Sequence, residues 1–305
     1  MRPLSPGRSL HPTNTTDSVG VPHNVRCAAM EFRDPSAFAH PGCEVLGLDL
    51  RRPLNAQTRD AVHEAFIRYH VLCFRDQHLS PEEQIAFTEQ FVTLERHMAR
   101  NKGKMNPLVH IVSNLDADGK PSGKVSSTGW HTDKSFRPEP SLATILHAVT
   151  MPPEGGETCF ANMVAAYEAL PEATRRALDD VKVVHSWALS RSNRDRKPTV
   201  EEIADAPDMI HPLVRTIPET GKKALFMGEH ASHLDGGSID EGRARILELE
   251  AHATQDRFVY LHRWREGDML MWDNRCLLHR ANANFDANRF PRVLHRTCLR
   301  GKAPA

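Results

Sequence analysis

The stretch Gly129-Trp-His-Thr-Asp-Lys-Ser-Phe136 sets a histidine and an aspartate two residues apart. On a strand or its flanking turn, residues i and i+2 point to one side, so His131 and Asp133 can chelate one cation together. In a chain with 18 histidines an isolated His-x-Asp reads as a capped surface turn, so a metal site requires a third ligand elsewhere. His279, in "WDNRCLLHRANA", qualifies, because it follows a strongly apolar strand candidate and the turn-like Asp273-Asn274. Two histidines and one carboxylate leave three adjacent positions open on a divalent metal, the arrangement of non-haem Fe(II) oxygenases.

An oxygenase of this kind needs an electron source, and 2-oxoglutarate serves when it can chelate the iron through its keto acid. Its far carboxylate then needs a cation, and the planar fork of arginine binds a carboxylate bidentately. Arg292 lies 13 residues after His279, at the start of the next strand candidate. A zinc hydrolase or a non-catalytic cupin-like binder is compatible with the ligand types alone. Neither needs that arginine, which is what separates the readings. Arg296 is four residues further on, so on a regular strand both side chains leave by one face, roughly 13 Å apart. A cation there without a fixed partner is costly, which makes an anionic substrate group its natural partner and a structural salt bridge the alternative.

Other candidates read more plainly. The remaining histidines, among them His70, His110, His147, His185 and His230, are core or surface groups, and His295 is structural because Arg296 takes the inward face. Trp130 and Trp272 read as core packing rather than pocket walls. Arg280 and Arg300 read as solvated charges, and Asn274 as a turn residue or an outer partner of the metal ligands.

The elements that must position these residues follow from periodicity. Residues 43–50 alternate as a strand, and 57–69 carry Ala61, Val62, Ala65, Phe66 and Tyr69 on one helical face. Residues 70–76 form a buried strand. Ser80-Pro-Glu-Glu83 is a capping box with proline at the first helical position, opening a helix over 81–91. A strand is predicted at 108–115. Strands at 142–150 and 157–163 are expected to pair through the Pro-Pro-Glu-Gly-Gly turn between them. Residues 164–181 are helical with a restart at Pro171, 190–210 form a charged, proline-punctuated surface excursion, and 239–254 form another helix. Strands at 268–274 and 292–301 close the chain. Strands, a helical insertion and strands again predict an α+β fold with a jelly-roll (double-stranded β-helix) core and flanking helices.

Bulk composition narrows the partners. At 305 residues the chain can bury a large core. Lys+Arg and Asp+Glu both total 39, which argues against nucleic acid or a membrane surface as partner. No apolar run approaches the roughly 18 residues of a membrane span. The start has no apolar segment of the secretory type and is rich in Pro, Ser, Thr and Asn, so residues 1–25 are expected to be a disordered tail and the protein cytoplasmic. The six scattered cysteines lack any Cys-x-x-Cys pair and read as reduced, buried thiols.

The chain resembles the taurine / 2,4-dichlorophenoxyacetate dioxygenase family of Fe(II)- and 2-oxoglutarate-dependent enzymes. The carriers are "GWHTDKSF", "PPEGGETCFANMVAAYEAL" (152–170), "HPLVRTIPETGKKALFMGEHASH" (211–233), "WREGDMLMWDNRCLLHRA" (264–281) and "RVLHRTCLRG" (292–301). With "LGLDLRRPL" (46–54) and "LCFRDQHLSPEEQIAF" (72–87) they cover nearly all of the chain beyond the tail, so 26–305 is expected to be one dioxygenase domain. The form of 211–281 is closer to the phenoxyacetate-degrading branch. By this resemblance His131, Asp133 and His279 match the iron ligands, while Thr158 and Arg292 match the residues that hold 2-oxoglutarate. Arg296 matches an arginine that meets an anionic group on the substrate, and His97 falls where a substrate-contacting histidine is found. The family's usual Phe-Gly is Phe91-Val92 here, a departure in the loop 92–105. The implied chemistry uses Fe(II), 2-oxoglutarate as cosubstrate and O2 to hydroxylate a small anionic substrate. That substrate is expected to be an aryloxyalkanoate undergoing ether cleavage, with a taurine-type sulfonate or alkylsulfate dioxygenase as the alternative. A homo-oligomer is expected.

Overall fold

The structure, a computed structural model, describes residues 30–33, 42–95, 106–191 and 197–304. The expected tail over 1–25 lies outside the described residues. The chain opens with β1 (Glu31–Arg33), β2 (Cys43–Leu46), α1 (Ala56–Tyr69), β3 (Val71–Phe74) and α2 (Pro81–Thr88). Local chemistry sets both helices. Asn55 caps α1 by accepting from the Thr58 N–H, and His70 ends it in a left-handed conformation. Ser80 and Glu83 form the reciprocal capping box at the start of α2, with Pro81 at its first position. That helix stops at Thr88, short of the expected 91, because the chain tightens into turns from Gln90 N to Phe87 O and from Phe91 N to Thr88 O.

After β4 (His110–Ser113) come β5 (Ala143–Thr150) and β6 (Thr158–Asn162). The segment after β6 holds α3 (Met163–Glu168), α4 (Glu172–Leu178), β7 (Lys182–His185), α5 (Trp187–Arg191), α6 (Val200–Asp205), β8 (Met209–Pro212), β9 (Val214–Thr216), β10 (Lys223–Leu225), β11 (Ala231–Leu234) and α7 (Ile239–Ala253). The chain ends with β12 (Val259–His262), β13 (Met269–Asp273), β14 (Leu277–Ala281) and β15 (Val293–Leu299). The insertion is therefore mixed rather than helical. It carries the sheets β11-β7-β8 and β10-β9, whose strands of three or four residues are too short to leave a clear alternation in sequence.

A seven-stranded sheet runs β1-β2-β3-β13-β5-β15-β4, and a three-stranded sheet runs β12-β6-β14. The large sheet is buried on both faces, which is why "VLCF" and "MLMWD" are continuous apolar runs. Met269 and Met271 of β13 pack with Phe74 and with Val62, Phe66 and Phe87 of the covering helices. The alternate residues Leu270 and Trp272 face the other way and pack with Phe160, Leu277 and Leu278 of the small sheet. The five described cysteines are buried and form no disulfide among the described residues.

The expected hairpin between β5 and β6 is absent. β5 pairs with β13 and β15, whereas β6 pairs with β12 and β14. Pro152 and Pro153 have no N–H to donate to a ladder, and Gly155 and Gly156 both take positive φ, so the chain crosses from one sheet to the other. A second crossing follows β13, where Asp273–Cys276 turns the chain onto the small sheet within a few residues. Among the described residues no helix is long and apolar enough to cross a membrane.

Phe74 is fully buried between the large sheet and the helices, edge-on to Phe87 at 5.6 Å between ring centroids. Replacing it with alanine leaves a cavity, so Phe74→Ala is expected to cost about 3–5 kcal/mol, measured as a shift in urea unfolding free energy.

Candidate active site

The loop before β5 is tied to β14 by a reciprocal pair of backbone bonds, His131 N to His279 O at 3.0 Å and His279 N to His131 O at 2.8 Å. The two imidazoles therefore face each other, with ring centroids 4.2 Å apart. Thr132 donates its hydroxyl to the Asn274 carbonyl at 2.7 Å, which pins the loop between the ligands and turns Asp133 to the same side as His131. One ligand atom from each of His131, Asp133 and His279 lies within 4.8 Å of the others, and all three residues are buried.

The donor chemistry fits a divalent metal. The Nδ1 of His131 lies 2.9 Å from the Gly129 carbonyl, which only accepts, so Nδ1 carries the proton and Nε2 keeps its lone pair. Burial, with His131 beside it, pushes His279 well below the ordinary histidine range, so its imidazole is neutral and able to ligate. Burial alone would raise the Asp133 carboxyl. The Arg296 guanidinium, His279, His131 and the Thr144 hydroxyl together outweigh it and hold the group well below the usual carboxylate range.

A second arrangement lies beside the triad, between the two sheets. Thr158 is the first residue of β6, and Arg292 immediately precedes β15. The Arg292 N–H donates to Asn114 Oδ1 at 2.7 Å, its Nε to the Gly156 carbonyl at 2.9 Å, and its Nη2 to Thr158 Oγ1 at 3.3 Å. The positive φ of Gly156 belongs to the crossing that brings this carbonyl to the guanidinium. Burial lowers the Arg292 guanidinium to about 10, still cationic at neutral pH. No carboxylate among the described residues forms an ion pair with it, and a buried cation without one is costly. Thr158 Oγ1 also accepts from Trp264 Nε1 at 2.9 Å. Both neighbours only donate, so the Thr158 proton is left to donate in turn. A buried guanidinium and a hydroxyl with a spare proton are what a ligand carboxylate requires.

His131, His279, Thr158, Arg292 and Arg296 line one cavity, with Trp272 in its wall. Asp133 joins these five through the triad, and His97 lies outside the described residues. For Arg296 the salt bridge weighed from the sequence is present. Its acidic partner is Asp133 itself, with Nη1 to Oδ1 at 3.2 Å. Its Nε is a buried donor with no partner among the described residues. Trp272 is both core and wall, fully buried and 4.8 Å from the His279 ring. Arg280 is not simply solvated, since its guanidinium lies over the Trp130 ring at 4.9 Å. His295 sits beside His147, consistent with a structural role. Sequence reasoning missed Trp264, Asn114 and Thr144. Trp264 stands in a quoted motif, but nothing there marks it as the donor to Thr158.

Comparison with known proteins points to one family. The family model described as taurine catabolism dioxygenase TauD, TfdA family, matches residues 33–298. The alpha-ketoglutarate-dependent 2,4-dichlorophenoxyacetate dioxygenase of Cupriavidus pinatubonensis is 38% identical over 246 residues, 76% of this chain and 86% of the relative. The alpha-ketoglutarate-dependent sulfate ester dioxygenase of Pseudomonas putida is 30% identical over 279 residues, 86% of this chain and 87% of the relative. The crystal structure of AAD-2 in complex with Mn(II) and N-oxalylglycine is similar with a TM-score of 0.81 and 36% identity, covering 91% of this chain and 98% of that one.

Single substitutions His131→Ala, Asp133→Ala and His279→Ala are each expected to weaken divalent-metal binding by more than about 100-fold, beyond what loss of an outer hydrogen bond costs. Titration with Mn(II), alongside circular dichroism to verify the fold, checks this. Parent-like affinity in any one variant would remove that residue from the metal site.

Proposed function

Because the chain belongs to the TauD/TfdA family of Fe(II)- and 2-oxoglutarate-dependent dioxygenases, we propose that it hydroxylates a small anionic aryloxyalkanoate, of the 2,4-dichlorophenoxyacetate type, with cleavage of the ether. Membership of an oxygenase family replaces the zinc-hydrolase and cupin-like-binder alternatives. The two facing sheets, joined by chain crossings, are taken as a jelly-roll core, and residues 26–305 as a single dioxygenase domain. The observation that carries the substrate reading is Arg296. It lines the cavity of the triad, and after pairing with Asp133 it keeps a buried Nε–H without a partner among the described residues.

In this reading His131, Asp133 and His279 hold Fe(II), while Arg292 and Thr158 hold the distal carboxylate of 2-oxoglutarate. When bound, iron and 2-oxoglutarate supply O2 activation coupled to decarboxylation, giving succinate, CO2 and oxygen transfer to a substrate C–H bond. The protein's own part is orientation. Arg296 engages the substrate's anionic group with the donor left over from Asp133, which sets the neighbouring carbon against the triad. Trp272, Leu146 and Val112 supply apolar wall that keeps water from the reacting atoms. If the hydroxylated carbon bears an ether oxygen, the product collapses to a phenol and an aldehyde or keto acid.

The sulfonate or alkylsulfate alternative is supported by the Pseudomonas putida relative, and a guanidinium N–H serves a sulfate oxygen as readily as a carboxylate oxygen. A panel of aryloxyalkanoates, sulfonates and alkyl sulfates, read as succinate formation, separates the two. Preferred turnover of aryloxyalkanoates is the expected result, and preference for sulfate esters or sulfonates would transfer the assignment to the alternative.

Arg292→Ala removes one side of a charge-assisted pair, a loss on the order of 2–5 kcal/mol. The apparent KM for 2-oxoglutarate is therefore expected to rise roughly 30-fold to several thousand-fold. An unchanged KM would give the anchoring role to another cation.

A further inference from the structure

We propose that Thr144, oriented by Asn274 and Trp272, is a positioning residue that locks the plane of the Asp133 carboxylate through a hydrogen-bond chain with only one possible direction. The inference rests on the metal reading of His131, Asp133 and His279; it decides between the turn and outer-partner readings of Asn274 and adds Thr144 and Trp272.

The direction follows from the ends of the chain. Trp272 Nε1 lies 3.1 Å from Asn274 Oδ1, and an indole N–H can only donate. This sets the amide orientation, with the oxygen toward Trp272 and Nδ2 toward Thr144. Asn274 Nδ2 then donates to Thr144 Oγ1 at 2.9 Å. Thr144 Oγ1 lies 2.5 Å from Asp133 Oδ2, and an ionised carboxylate can only accept. The single proton of Thr144 is therefore committed to Asp133. With a pure donor at one end and a pure acceptor at the other, no flip or rotor reversal leaves all three bonds intact.

The backbone holds the chain at its spacing. Trp272 of β13 stands opposite Thr144 of β5 in the sheet register, and the Asn274 N–H donates to the Leu142 carbonyl at 3.0 Å. Thr144, Asn274, Trp272 and Asp133 are all buried, so water does not compete for these bonds. Asp133 Oδ1 meanwhile accepts from Arg296 Nη1 at 3.2 Å. Each carboxylate oxygen thus carries one bond from the protein, and rotating the group would break both. A facial ligand set keeps adjacent positions open only while its carboxylate does not swing to occupy one of them. Holding that plane is the task the geometry points to for Thr144.

The test is Mn(II) affinity, read from the electron paramagnetic resonance of free Mn(II), for the parent, Thr144→Val, Thr144→Ser and Asp133→Ala. Valine keeps the shape and removes the proton, whereas serine keeps the proton. The expected result is a 10- to 100-fold weaker affinity for Thr144→Val, the usual cost of losing an outer partner of a metal ligand, with Thr144→Ser close to the parent. Parent-like binding by Thr144→Val while Asp133→Ala has lost binding would overturn the positioning role and leave the triad standing. So would equal impairment in valine and serine variants, which would point to packing of the methyl group. Parent-like binding by Asp133→Ala would remove the triad and this inference together. If Thr144→Val does not fold, Thr144→Cys takes its place, with a similar volume, a far weaker donor and the same two outcomes.

Discussion

The exchange of two backbone hydrogen bonds between His131 and His279 is the interaction on which the rest of the site depends. Residues paired in this way across antiparallel chains stand about 5.5 Å apart at Cα with side chains on one face, so a single bridge brings two imidazoles together. The alternation of the chain then returns Asp133 to the same side. The bridge is itself supported from beneath. The Trp130 carbonyl accepts from the Glu229 N–H at 2.7 Å, and a Cβ on Gly228 would lie 2.9 Å from that carbonyl. Gly228 is thus required by closeness as well as by its φ of +118°.

The same architecture divides labour between the faces of the large sheet. One face packs against α1 and α2 through Phe74, Phe66 and Phe87 and carries no part of the site. The other meets the small sheet, and there the chain crossings deliver polar residues into an otherwise apolar core. Thr158 follows the crossing after β5, while Asn274 lies in the one after β13 and His279 follows it. Polar groups imported this way are tolerated because they bond one another: Trp264 to Thr158, Asn114 to Arg292 and Thr144 to Asp133.

Much of this was legible in the sequence, and the boundary is physical. The helix starts at Asn55 and Ser80 depend on contacts three residues away, so α1 and the capping box of α2 were open to local reading. The His-x-Asp pair was legible because residues two apart on an extended chain share a side, and His279 and Arg292 because each adjoins a strongly apolar strand candidate. Strand partners are not local. The turn at 151–157 looks like a hairpin, and only the assembled sheets show that its two strands belong to different layers. The Arg296–Asp133 pair joins residues 163 positions apart, and nothing in either segment announces the other. Thr144 lies within a strand that was recognised, yet its function comes from register, since it stands opposite Trp272 and within reach of Asn274.

Charge supplies the last link between geometry and substrate. The ionisable groups that line the cavity or reach it through the triad are one carboxylate, Asp133, and two guanidiniums, Arg292 and Arg296, beside imidazoles of which His279 is held neutral. Under the proposed function a divalent metal and a doubly charged cosubstrate would cancel one another, leaving the excess of one positive charge that the protein brings. A singly charged substrate neutralises it, and a neutral one leaves a cation in a low-dielectric cavity at considerable cost. The same balance accepts a carboxylate and a sulfate ester equally, in keeping with relatives of both kinds among similar proteins. In that reading charge selects the class of substrate. Choice within that class passes to the shape of the apolar walls, where an added or missing methylene is worth only about 1–3 kcal/mol and relatives can diverge without disturbing the triad.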